Sequence, residues 1–279
     1  MNRLIADIET SPNIGLFWRA GYKQNISYDN IIEERKIICI AYKWEHANKV
    51  EYLTWDKSQC DKKMLAAFIE VMEEADEIVF HNGDRFDIPW IRTRALLHGL
   101  PAWSEPKQVD TLKWAKRRFY FQSNRLDYLG EILTGSGKIK TEYGMWKDIL
   151  LKKCPVAMAK MVKYCKMDVR KLQEVYEVLA RYMPAETHES VLGGEEKWMS
   201  PFCEGSKNIM SKGKRITARG TVTYRMTCNV TGRHYVISTA AKRDYDKWRA
   251  DHPRHGPDVA AYAVRKLKKA TRKKAVNKP

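Results

Sequence analysis

The sequence predicts an α/β chain built on a mixed central sheet flanked by helices, with a small β-rich module after it. Three observations carry that expectation. Three short apolar runs near the N-terminus are spaced as hairpin-compatible strands. Helical and strand patterns then alternate. A long helical stretch over residues 155–182 closes the region just before Pro184.

Residues 4–9 read as a strand, ended by Thr10-Ser11-Pro12, and residues 37–44 and 50–55 as two more, joined by a turn around 45–49. Met64, Leu65, Phe68, Ile69 and Met72 recur at helical spacing. Residues 77–82 form the next strand. A helix over 87–98 follows, closed by Gly99, with Pro89 tolerated in its first turn. Val109-Asp110-Thr111 begins a short strand or helix, where Asp110 suits an N-cap. Leu126, Leu129 and Leu133 share one helical face, and residues 155–182 make about seven turns of helix. This α/β domain is expected to span 1–183, followed by a linker at 184–196, a β-rich module at 197–240 and a basic tail at 241–279, partly helical or disordered.

The chain has 279 residues, 44% of them hydrophobic, which supplies a sizeable core and excludes wholesale disorder. No apolar run approaches the ~20 residues that span a bilayer. Charge arrives too early at the N-terminus for a secretory signal, so a cytoplasmic protein with no membrane association is expected. Six scattered Cys without a CxxC pair then read as reduced thiols. The formal net charge is +17, and its distribution is uneven: residues 1–183 carry 30 basic and 25 acidic side chains, residues 184–279 carry 21 and 9. Such a basic tail is the electrostatic footprint of a nucleic-acid binder, although a solubilising tail has the same composition.

Asp7 and Glu9 alternate with Leu4, Ala6 and Ile8, so both carboxylates leave one face of the strand while the apolar residues leave the other. Side-by-side carboxylates repel, and a cation between them removes the repulsion; a solvated strand edge is the ordinary alternative. Asp87 stands at a strand-to-helix transition, where it could equally cap the helix. Asp168 lies four residues after Tyr164, which stacks the two on one helical face; alone, it would pass for a surface Asp among lysines.

Together these residues resemble the three motifs of the DEDD superfamily of exonucleases, which share a ribonuclease-H-like fold. Asp7-Ile8-Glu9 is similar to the first motif, Asn82 through Phe86-Asp87 to the second, and Tyr164 through Asp168 to the third in its tyrosine variant. The resemblance covers roughly residues 1–183 and looks closest to stand-alone phage or bacterial enzymes similar to family B polymerase proofreading domains. It implies 3′→5′ hydrolysis of nucleic acid, DNA first and RNA second, with two Mg²⁺ or Mn²⁺ ions. By position, Asp7, Glu9 and Asp168 would ligate one ion, and Asp7 with Asp87 the other. Tyr164 would orient the attacking water; a phenol of pKa about 10 is a poor base at neutral pH. Oxygen-only ligands suit such hard ions, and no His/Cys set near the motifs argues for zinc. Asn82, Phe86, Arg125, Lys138 and Lys140 are expected nucleic-acid contacts. A structure-specific endonuclease and a non-catalytic binding protein remain alternatives, and a protein partner is left open.

The C-terminal module resembles a zinc ribbon in which Ser200 and Thr231 take two of the four cysteine positions, leaving Cys203 and Cys228. Structural zinc takes four ligands, so zinc is not expected here. Arg215, Arg219, Arg225 and Arg233 are expected to meet nucleic acid instead, while Tyr224 and Tyr235 either stack on bases or fill a small core.

Overall fold

The computed structural model describes residues 1–19, 21, 25–135 and 144–252. The chain divides into two compact units, one spanning Asn2–Leu179 and one formed by Met1 with the chain from Ala180 onward. No helix among the described residues is long and apolar enough to cross a membrane.

In the first unit, β1 (Arg3–Thr10) is followed by a two-stranded ribbon of β2 (Ile14–Gly15) and β3 (Ile31–Glu33) that the apolar pattern does not announce. Then come β4 (Ile37–Trp44), β5 (Glu51–Thr54), β6 (Glu77–Phe80) and β7 (Lys107–Asp110), and the main sheet runs β5-β4-β1-β6-β7. β1 pairs antiparallel with β4, and β4 with β5; β6 runs parallel to β1 and to β7. The mixed α/β sheet is the predicted one, and β1 lies at its centre.

The pairing of β1 is unequal along its length. Its parallel register with β6 stops at Ile5 opposite Val79, whereas its antiparallel register with β4 continues through Asp7 opposite Ala41 and Glu9 opposite Cys39. The carboxyl half of β1 therefore has an open flank on the β6 side. Helices α1 (Lys62–Glu73) and α2 (Asp87–Leu97) cover one face: Leu4, Ala6 and Ile8 pack with Met64, Leu65, Phe68, Ile88 and Ile91. The five α1 positions picked out by spacing are all buried. Gly99 has φ of +61°, a left-handed conformation that suits glycine just past the end of α2. Further along are α3 (Thr111–Arg118), α4 (Leu126–Thr134), α5 (Gly144–Lys152) and α6 (Pro155–Ala180).

A buried ion pair fastens α2 to the start of α1. Asp61 is fully buried and accepts two hydrogen bonds from Arg94, at 2.8 Å each, and one from the Ile37 amide at 3.0 Å. His98 Nε2 lies 2.6 Å away.

The second unit holds α7 (Glu189–Leu192), an antiparallel sheet ordered β10-β9-β8 from β8 (Ile209–Ile216), β9 (Val222–Cys228) and β10 (His234–Ser238), and α8 (Thr239–Asp251). Trp198, Met199, Ile209, Met226 and Ile237 form its core with Ala241 and Tyr245 of α8. The unit thus draws on both sides of residues 197–240. Ser190, in the stretch read as a linker, is buried and donates to the carbonyl of Ser200. The first part of the expected tail is a helix capped by Ser238 and packed on the sheet.

Removing one partner of a buried ion pair leaves the other charge uncompensated, at a cost of about 3–5 kcal/mol. Asp61→Ala is accordingly expected to destabilise the first unit by that amount in urea unfolding monitored by circular dichroism. A loss below about 1 kcal/mol would contradict the structural role assigned to the pair.

Candidate metal centre

The site sits on the face of β1 opposite the α1/α2 layer. Asp7 and Glu9 point there because strand side chains alternate. In α6 the residues Ala157, Met161, Cys165, Val169, Leu172 and Tyr176 recur every three or four positions and are buried. Tyr164 and Asp168 each precede a member of that stripe, so they flank it and remain partly exposed. Cys165 brings the helix against the strand, its Sγ 3.4 Å from the Asp7 carbonyl oxygen and 3.5 Å from Asp7 Oδ2. One carboxylate oxygen each from Asp7, Glu9 and Asp168 fall within 4.8 Å of one another.

Asp87 fills the open flank of β1. The loop after β6 returns its first helical residue to the strand, where the Ile8 amide donates to Asp87 Oδ1 at 3.3 Å and the side chain is 2% exposed. The turn depends on Asn82, whose φ of +75° is left-handed, and on its carbonyl, which accepts from the amides of Arg85 and Phe86. Asp110 holds the same turn from β7. It caps α3 through the amides of Leu112 and Lys113, as its sequence position predicts, and also accepts from the Asn82 amide at 2.9 Å.

Gathering these groups raises the cost of ionising them. Burial, and then the charges of Asp87, Glu9 and Asp168, push Asp7 well above the usual carboxylate range. Burial and the charges of Asp168 and Asp87 push Glu9 up to about 8. Burial raises Asp87 to about 7 against the opposing hydrogen bonds of its own and the Ile8 amides. Asp168 is also raised by burial, partly offset by hydrogen bonding from Tyr164 and the charge of Lys171. Burial, then Asp168 and Glu9, raise the Tyr164 phenol, which stays protonated at neutral pH and donates to Asp168. This donor set fits a hard divalent cation: all oxygens, convergent, and repelling in a way that a cation would relieve. Cys60, Asp61 and His98 also lie at metal-ligand spacing, but the Asp61 carboxylate is taken up by Arg94, His98 and the Ile37 amide.

The profile of the RNase_H superfamily matches residues 32–180, more than half of the chain. The chain belongs to the RNase_H superfamily. Its match contains Asp87, Tyr164 and Asp168 and begins after Asp7 and Glu9, which the sheet brings to the same place. Among solved structures the chain is similar to the family B DNA polymerase of the hyperthermophilic archaeon Pyrobaculum calidifontis, at 19% identity and a TM-score of 0.50. That likeness covers 65% of this chain and 25% of the polymerase, and it bears on the fold alone. A comparison with curated proteins finds no match.

The other residues singled out in this RNase_H-superfamily chain are distributed differently. Phe86 is half-buried against the main core, and Arg125 is exposed at the start of α4. Lys138 and Lys140 lie outside the described residues. Arg215, Arg219 and Arg225 are exposed on the β8–β9 hairpin. Arg233 is half-buried, stacks over Phe202 at 3.6 Å and donates to the Met183 carbonyl at 2.9 Å. Tyr224 and Tyr235 pack against the second core, and the Tyr235 hydroxyl donates to the Trp198 carbonyl. Cys203 and Cys228 meet at 3.8 Å, with the Ser200 and Thr231 hydroxyls hydrogen-bonded at Cys228, so the four zinc-ribbon positions converge with two thiols. Sequence reasoning missed Cys165, whose only signal was its place in the α6 stripe, and the hold of Asp110 on the Asn82 turn.

The raised carboxylates set a sign for stability. Unfolded, Glu9 and Asp87 titrate near 4.5 and 3.8; folded, near 8 and 7. The folded state binds more protons between those limits, so the stabilisation is full below about pH 4 and is lost as pH rises through 7–8. Metal-free protein should therefore melt lower at pH 8 than at pH 5.5. Asp7→Asn should raise the Tm at pH 8 by at least about 2–4 °C, the equivalent of about 1 kcal/mol. Calorimetry in EDTA checks both, and a variant that melts below wild type at pH 8 would contradict the charge repulsion.

Proposed function

We propose that the chain is a metal-dependent 3′→5′ exonuclease that shortens single-stranded DNA. The observation that carries this reading is the convergence of Asp7, Glu9 and Asp168, with Asp87 on the adjoining flank and Tyr164 bonded to Asp168. Asp7, Glu9 and Asp168 would hold one Mg²⁺ or Mn²⁺ ion, and Asp7 with Asp87 a second. When bound, such ions activate water and stabilise the leaving oxygen of a phosphodiester.

The protein groups take complementary parts. The Ile8 amide fixes the Asp87 carboxylate, and Cys165 fixes that of Asp7. Tyr164 keeps its proton, so it orients the attacking water by hydrogen bonding rather than acting as its base. Strand polarity, preference for an end, and DNA ahead of RNA rest on the resemblance of the three motifs to tyrosine-variant exonucleases. The excess of basic residues agrees with a polyanionic substrate.

A 5′-labelled single-stranded DNA oligonucleotide, a matched RNA and a covalently closed DNA circle, each with Mg²⁺, Mn²⁺ or EDTA, test the reading. Metal-dependent laddering from the 3′ end of the DNA, with an intact circle, is expected. Asp168→Asn should lower kcat by about 10³-fold or more, the equivalent of several kcal/mol of charge stabilisation. Tyr164→Phe, which loses one hydrogen bond, should lower it by about 10–100-fold. Cutting of the circle, or no cleavage with either metal, would overturn the exonuclease assignment.

A further inference from the structure

The loop after β6 and the outer face of α3 enclose a cleft of about 430 Å³. Arg85 lines it from the loop, and Lys113, Lys116 and Arg117 from the helix. The helical set is spaced i, i+3, i+4, on one face, opposite the buried Thr111, Trp114 and Ala115. Two acids share the cleft, and both are occupied. Asp84 pairs with Lys113 at 2.7 Å. Asp110 accepts from the amides of Asn82, Leu112 and Lys113.

Arg85, Lys116 and Arg117 are exposed and have no ion-pair partner among the described residues. Like charges drawn from two elements into one concavity repel, and a polyanion would relieve that repulsion. The position narrows the choice of polyanion. Phe80 of β6 pairs with Asp110 of β7, so the cleft opens at the carboxyl edge of the parallel strands, the edge at which Asp87 enters the metal centre. Arg85 precedes Asp87 by two residues. A concave basic surface that follows a backbone is the electrostatic part of single-strand binding.

We propose that this cleft binds the sugar–phosphate backbone of the strand whose 3′ end lies in the metal centre, through Arg85, Lys116 and Arg117. The proposal rests on the nuclease reading of that centre and adds to it a subsite for nucleotides upstream of the scissile bond.

The test compares full-length wild type with Lys116→Glu/Arg117→Glu, using a fluorescein-labelled 12-nucleotide DNA and the matched RNA. Anisotropy in EDTA gives Kd across a salt series, and turnover with Mn²⁺ gives kcat and KM for the 12-mer and for a dinucleotide. Kd and KM for the 12-mer should rise at least about tenfold. The salt slope should become shallower by about 1.4, the share of two phosphate contacts on a single strand. The dinucleotide KM, and kcat for both substrates, should stay within about twofold of wild type.

Lys116→Ala/Arg117→Ala should give the same pattern more weakly, with a wild-type Tm. Lys62→Glu/Lys63→Glu, an equal charge change on α1, should leave Kd unaltered; an equal loss there would overturn the cleft in favour of net charge. Unchanged Kd and slope for both polymers in the α3 variants would also overturn it, while leaving the exonuclease standing. If wild type cleaves neither polymer yet the α3 variants lose binding and slope, the cleft stands and the exonuclease reading fails. A loss confined to DNA or to RNA identifies which polymer the cleft takes.

Discussion

Asp7 and Glu9 leave the same face of the central strand, and α6 adds Asp168 to them, so the fold holds three carboxylates within ligand distance at its own energetic expense. Much of the first unit can be understood as the framework that keeps them there. The opposite face of β1 is locked into the α1/α2 core by Leu4, Ala6 and Ile8, so the strand cannot turn over to expose its acids. The start of the strand is tied down by Arg3, which donates to Glu77 and Glu45 and lies 5.1 Å from the Tyr176 ring of α6. That buried network joins β1, β6 and α6, the elements around the centre.

The unequal pairing of β1 is the second part of this constraint. Had β6 continued alongside it, the amide of Ile8 would face a strand. Because the parallel register ends at Ile5, that amide is available to the Asp87 carboxylate instead. The turn that carries the chain from β6 to Asp87 needs a left-handed residue, supplied by Asn82, and an acceptor from a neighbouring strand, supplied by Asp110. The same turn positions Arg85. Loop geometry that brings Asp87 to the carboxylate cluster thus also builds one wall of the basic cleft.

The readable parts of the sequence are those set by local periodicity. Alternation on β1 assigns Asp7 and Glu9 to one face, the spacing of Met64, Leu65, Phe68, Ile69 and Met72 marks the buried face of α1, and Asp110 before a helix is a cap. What escaped depends on partners distant in the chain or on amphipathic side chains. Asp61 meets Arg94 across 33 residues, with no pattern linking them. Helix α8 hides its apolar contacts, Ala241, Tyr245 and Trp248, among seven charged residues, so it resembles a solvated tail. The seat of the Arg233 guanidinium on Phe202 joins residues 31 positions apart, with no pattern to announce it. The basic cleft was illegible for a related reason: its cations come from a loop and a helix that only the β6–β7 pairing brings together.

A divalent-cation site and a merely acidic pocket at these carboxylates are told apart by titrating the purified chain with Mn²⁺ at pH 7.5, following free Mn²⁺ by electron paramagnetic resonance and released protons with an indicator. Wild type should bind two ions and release protons as they enter, because the raised carboxylates must ionise to ligate. Asp7→Ala, which removes the carboxylate proposed to serve both ions, should abolish both signals. Absence of Mn²⁺ binding, or binding and proton release unaltered in Asp7→Ala, would contradict the account.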